Sequence, residues 1–71
     1  MNRLRELRKS NRLSQKKFSD ILGMSQTGYS KYEVGTNDIP TKILKSAAIY
    51  FNTSIDYILG LTDEIKPYKR K

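Results

Sequence analysis

The chain has no cysteine, no histidine and no tryptophan among its 71 residues, and only two prolines. Without cysteine there is no disulfide and no thiolate metal site. Without histidine the usual imidazole ligand and the usual general base are both missing, and these absences argue against an enzyme. No apolar run approaches the roughly 18 residues of a membrane span, and the N-terminal stretch MNRLRELRKS carries charges where a signal peptide needs apolar residues. The expectation is a cytoplasmic soluble protein with no cofactor and no membrane partner. At this length it forms one small domain, since such a core buries only about 60% of the unfolded surface. Acidic residues are also scarce: seven Asp and Glu stand against 14 Lys and Arg, a formal charge of +7. That balance points first to a polyanion such as nucleic acid, with plain solubility as the bland alternative.

The apolar residues recur at helical spacing. Asn2 to Ser10 places Leu4 and Leu7 on a narrow stripe among charges, a short amphipathic helix. Asn11 and Arg12 break it, Leu13 anchors the turn, and Ser14 stands where a hydroxyl caps a second helix, Gln15 to Leu22, with Phe18, Ile21 and Leu22 inward. Gly23 suits the left-handed turn after it. Ser25 caps a third helix from Gln26 to about Val34, ending at Gly35. GTNDI is a loop, Pro40 fits the first turn of a fourth helix, and Thr41 to Phe51 carries the broadest stripe: Ile43, Leu44, Ala47, Ala48 and Phe51. Asn52 and Ser54 lead into a short fifth helix marked by Ile55, Ile58, Leu59 and Leu61 and ending around Gly60. The fold class is all-α with five short helices, a domain over residues 1–61, and a basic, loosely held, partly disordered tail over residues 62–71.

The second and third helices are joined by about three residues including a glycine, as in an αα corner or a helix-turn-helix. Each steric demand of the helix-turn-helix is met. Ser19 is small where the helix backbones cross, Gly23 occupies the turn, and Phe18, Leu22, Met24, Tyr29 and Tyr32 take the inward positions. Tyr29 and Tyr32 also suggest base-stacking aromatics, but their spacing puts them on the inward face, opposite Gln26, Thr27 and Lys31.

The pieces LSQ, LGMS, YSKYEVG, IP and FNTSIDYILG, in this order and spacing from Leu13 to Gly60, resemble the Cro and lambdoid phage repressor class of helix-turn-helix domain over Arg3 to Asp63. The last piece is most similar to small regulators and repressor N-terminal domains of low-GC Gram-positive bacteria and their phages. The resemblance implies a lambda-repressor-like fold whose third helix lies in the DNA major groove, with Gln26, Thr27 and Lys31 on base edges. A glutamine amide can accept from adenine N6 and donate to N7, a threonine methyl can meet a thymine methyl, and a lysine can donate to guanine. Gln15 corresponds to a residue that holds a phosphate and braces the first recognition side chain; otherwise it is an ordinary first-turn residue. Gly28 departs from the family, which usually has an outward side chain there. Arg8 and Glu33 correspond to a salt-bridged pair.

The expected phosphate contacts are Gln15, Lys9, Arg12, Lys16, Ser25, Thr36, Asn37 and Lys42, with the loop amides beside them. Asp38 weakens this set, because relatives often have a cation in that loop. The tail from Lys66 to Lys71 either compensates or is simply solvated. A single recognition helix reads few base pairs, so a homodimer on an inverted repeat of double-stranded DNA is expected, with Ile55, Ile58 and Leu61 as interface candidates unless they close the core. The whole reads as a DNA-binding transcriptional regulator, a repressor. The alternative is a protein-interaction module on the same scaffold, antitoxin-like or anti-repressor. A nuclease using Asp20, Glu33 or Asp38 would need clustered carboxylates, and none stand at motif spacing.

Overall fold

Three serines decide where three of the helices begin. In the computed structural model, which describes residues 2–69, the helices are α1 (Leu4–Ser10), α2 (Gln15–Leu22), α3 (Gln26–Val34), α4 (Thr41–Tyr50) and α5 (Ile55–Ile58). Arg70 and Lys71, the end of the basic tail, lie outside the described residues. The hydroxyls of Ser14, Ser25 and Ser54 accept from the amides of Lys17, Gly28 and Tyr57 at 3.0, 3.1 and 3.0 Å, satisfying helix N–H groups that have no intrahelical partner. Gly23 and Gly35 end α2 and α3 at φ of 74° and 83°, in the left-handed region that costs glycine nothing. Arg12 and Asn52 reach the same region at φ of 57° and 54°, where a side chain makes it less comfortable.

Some boundaries differ from the sequence reading. The first helix starts at Leu4 and not Asn2, because Asn2 Oδ1 accepts from the Leu4 amide at 3.0 Å and holds the chain outside the helix. Pro40 precedes α4 at ψ 147° in place of joining its first turn, and Phe51 follows the helix as its cap. The fifth helix is a single turn, ended when the Leu61 amide turns back to the Asp56 carbonyl at 2.8 Å.

The core is built from Leu4 and Leu7 of α1, Phe18 of α2, Tyr29 of α3, Leu44, Ala47 and Ala48 of α4, and Ile58 of α5. Phe18 is its centre. Its ring stands edge-on to Tyr29 at 5.4 Å and tilted against Phe51 at 4.8 Å. Ser19 is fully buried, which lets α2 approach α3 closely. Leu13, Leu22, Met24, Tyr32, Ile39, Phe51 and Ile55 pack around this centre half-buried. Ile21, read as inward, is 40% accessible, and of the apolar residues given to the fifth helix Leu61 is 72% accessible and Leu59 is also open. The helices are too short to wrap them. In α2 the packing runs through Phe18 and Ser19 and leaves Ile21 on the flank, while Leu59 and Leu61 follow the end of α5.

Residues 62–69 form no helix or strand, and hydrogen bonds join them to the rest of the domain. Arg3 donates to the carbonyls of Tyr57 and Thr62 and to Asp63 Oδ1, its guanidinium lying 4.2 Å from the Tyr57 ring. Further along, Thr53 donates to the Ile65 carbonyl, and the Tyr68 hydroxyl donates to Asp56 Oδ2 at 2.6 Å. The side chains that fix this segment come from Arg3 just before α1, from α5 and from the turn before α5, which is why its own composition did not disclose them.

Candidate nucleic-acid interface

The third helix divides its residues sharply. Tyr29 is fully buried and Tyr32 half-buried on the core, so Tyr29 offers no ring for stacking on a base. On the opposite side Gln26, Thr27 and Lys31 are exposed, and they line one surface depression together with Ser30 and with Gln15 of α2. Ser30 was missed by the sequence reading. It follows Gln26 by one helical turn, and that spacing alone could have placed it beside the other three.

Beneath this surface lies an ion pair. Arg8 Nε donates to Glu33 Oε2 at 2.7 Å and Nη2 to Oε1 at 3.3 Å, with side-chain exposures of 9% and 3%. Arg8 Nη1 also donates to the Leu13 carbonyl at 2.7 Å, and Gln15 Nε2 donates to Glu33 Oε1 at 3.1 Å. The carboxylate therefore ties the end of α1 and the start of α2 to the end of α3. Burial works to raise the pKa of Glu33, but hydrogen bonding by Arg8 and Gln15, helped by the nearby Tyr29 hydroxyl, outweighs it and holds the carboxyl below its ordinary range. The hydrogen bond to Glu33 likewise raises Arg8, against the opposing effect of burial. The Tyr29 hydroxyl is buried beside the pair without a hydrogen-bond partner of good geometry, and burial, then Glu33, push its phenol far above the usual value.

The expected phosphate contacts are spread more widely. Lys9, Arg12, Lys16, Thr36, Asn37 and Lys42 are all exposed, so each can reach a polyanion. Lys16 shares its ammonium with Asp20 at 2.8 Å, a solvent-exposed pair of small worth. Ser25 spends an oxygen lone pair on its cap, which leaves its O–H as the donor. The loop amides of Thr36 and Asn37 do not serve as expected. Both donate to the Lys31 carbonyl, at 3.0 and 3.3 Å, which closes the end of α3 and leaves only their side chains outward.

Of the interface candidates, Leu61 is open and Ile55 is half-buried on the core, but Ile58 is completely enclosed. Ile58 is therefore a core residue and presents nothing to a second copy. Among the described residues no group of acidic side chains could hold a metal ion, and no helix is long and apolar enough to cross a membrane. Asp20 pairs with Lys16, and Glu33 with Arg8.

Comparison with known proteins agrees with this arrangement. The helix-turn-helix family model matches residues 4–58. The uncharacterized HTH-type transcriptional regulator YobD of Bacillus subtilis is 37% identical over 65 residues, which are 92% of this chain and 58% of that protein. The SPbeta prophage-derived regulator YonR of the same organism is 35% identical over 57 residues, 80% of this chain and 53% of the relative. Antitoxin PezA of Streptococcus pneumoniae is 33% identical over 64 residues, 90% of this chain and 40% of that protein. The chain thus spans about half the length of the curated relatives it matches. No solved structure gives a significant match. With its five helices, its short α2–α3 turn and a family match over most of its length, the chain belongs to the Cro and phage-repressor type of helix-turn-helix family.

Proposed function

We propose that this chain is a sequence-specific regulator of transcription that occupies an operator in double-stranded DNA and represses by doing so. The observation that carries the reading is that exposed Gln26, Thr27 and Lys31 line one depression with half-buried Ser30 and Gln15, while Tyr29 on the other side of the helix anchors it. A helix held this way can enter a major groove without losing its own packing. Gln26 and Thr27 read base edges, Lys31 donates to guanine or to a phosphate, and Lys9, Arg12, Lys16 and Lys42 meet phosphates. The formal charge of +7 supports the same partner.

The protein binds as a dimer on an inverted repeat, because one recognition helix reads too few base pairs for an operator. Leu61, with Leu59 beside it, supplies exposed apolar surface for that contact, and Ile55 borders it. Selection of bound duplexes from a random pool, with the stoichiometry of the complex measured, tests the reading. An inverted repeat bound by two chains is expected, with affinity falling steeply as salt rises.

The antitoxin relative favours a second reading, a module that binds a protein partner through the same scaffold. The salt series separates the two: no duplex binding even at low ionic strength would leave the protein-binding module.

A further inference from the structure

Gln15 stands between two neighbouring depressions. On one side it borders Arg8 and Glu33, and on the other Gln26 and Thr27. Its amide nitrogen donates to Glu33 Oε1 at 3.1 Å. An ionised carboxylate offers only acceptors, so it admits the Gln15 amide in a single orientation, nitrogen inward. Arg8 takes both carboxylate oxygens and fixes their plane. The Gln15 carbonyl is thereby turned away from Glu33, and Gln15 also lines the depression that Gln26 and Thr27 border.

We propose that Glu33 is a positioning residue for sequence reading: by fixing the polarity of the Gln15 amide, it makes that wall of the depression a hydrogen-bond acceptor and selects an amino-bearing base, adenine or cytosine. The inference rests on the DNA-reading function proposed above. In the major groove adenine and cytosine present an amino donor, whereas guanine and thymine present carbonyl acceptors at the same edge. The Gln15 carbonyl takes the amino hydrogen directly or takes one hydrogen of the Gln26 amide. In the second arrangement Gln26 keeps its own carbonyl and one N–H for the base, the pattern that matches adenine N6 and N7. Guanine is disfavoured by both, because its two acceptors would face an acceptor. A neutral amide in place of the Glu33 carboxylate can donate as well as accept, so Glu33→Gln would allow the Gln15 amide to turn over.

The test compares the intact protein with Glu33→Gln, Gln15→Leu and the double variant on the selected duplex, on the same duplex with the amino-bearing base replaced, and on random duplex. Each single variant is expected to lower the preference for the amino-bearing base, read as the ratio of affinities for the two duplexes that differ only at that base, by about tenfold, the usual size of one well-made base contact, and for Glu33→Gln random-duplex affinity stays unchanged. Glu33→Gln should have no further effect in the Gln15→Leu background. Unchanged preference in either single variant, or additive losses in the double variant, would overturn the proposal. In the intact protein, NMR should show one Gln15 side-chain amide proton shifted downfield and slowed in exchange by the carboxylate. Ordinary solvent-exposed behaviour of both protons would overturn the proposal even where Glu33→Gln fails to fold. If the intact protein binds no duplex, the function itself has failed, which is a separate result.

Discussion

Arg8 of α1 and Glu33 of α3 meet at 2.7 Å, with both side chains almost wholly removed from water. The pair joins α1 to the end of α3, and it does so where solvent cannot replace either partner. A charge left alone at such a site costs far more than the net worth of the pair, because its desolvation is then uncompensated. Glu33→Ala would leave the Arg8 guanidinium with the Leu13 carbonyl alone. The expected loss is about 3–5 kcal/mol, comparable to the whole stability of so small a domain. In a thermal melt followed by circular dichroism this corresponds to a fall of more than about 10 °C. A fall under about 2 °C would show the pair to be without consequence.

The same pair makes stability depend on acidity. The folded state holds the Glu33 carboxyl below its ordinary range, so its contribution is fully present above the unfolded value of about 4.3 and is lost as pH falls through the lower folded value. Urea unfolding of the intact protein and of Glu33→Gln, compared at about pH 6, 4 and 3, should show the intact protein ahead at the highest pH and the gap closing below about pH 4. Comparing the two proteins cancels the other carboxylates. A gap that stays constant with pH would mean that Glu33 titrates alike in both states.

The proposed roles at the DNA surface separate by what each variant does to specificity. Gln26→Ala should weaken the selected operator by about 1–3 kcal/mol and relax one base position, since base-edge contacts carry sequence information. Lys16→Ala should weaken every duplex alike and reduce the salt slope by about one. Its loss is kept small by the ammonium's existing partner, Asp20. Equal losses on operator and random DNA for Gln26→Ala would remove that residue from base reading.

How much of this was legible beforehand depended on how local the physics is. The caps at Ser14, Ser25 and Ser54 were readable because each involves an amide three residues away. Burial of Phe18, Leu44 and Tyr29 followed from helical spacing, which a short segment displays by itself. Ile21 and Leu61 misled for the same reason: spacing places a residue on a face but does not say whether a neighbour reaches that face. The Gln15 bond to Glu33 spans 18 positions and the Arg3 bond to Asp63 spans 60, and no local pattern announces either. The resemblance had suggested a bracing role for Gln15, but not that its nitrogen is committed to a carboxylate.

Gly28 is crowded only by residues three and four positions before it, and its variant makes a quantitative expectation. From sequence it was a missing outward contact, but a Cβ there would lie 3.1 Å from Ser25 Oγ and 3.3 Å from Met24 Cε, against the helix's own cap. Alanine in place of a helical glycine ordinarily gains about 1 kcal/mol. Here the methyl presses on the oxygen that accepts from the residue 28 amide, so Gly28→Ala should gain clearly less than that. Ser25→Ala should cost about 1 kcal/mol by removing the cap. With the oxygen gone, only the flexible end of Met24 remains in the way, and Gly28→Ala in the Ser25→Ala background should recover most of the helix-propensity gain. Chemical unfolding of the four proteins measures this as a coupling between the two sites. Purely additive changes would mean that the cap yields without strain, and that the glycine is not kept there by the serine beside it.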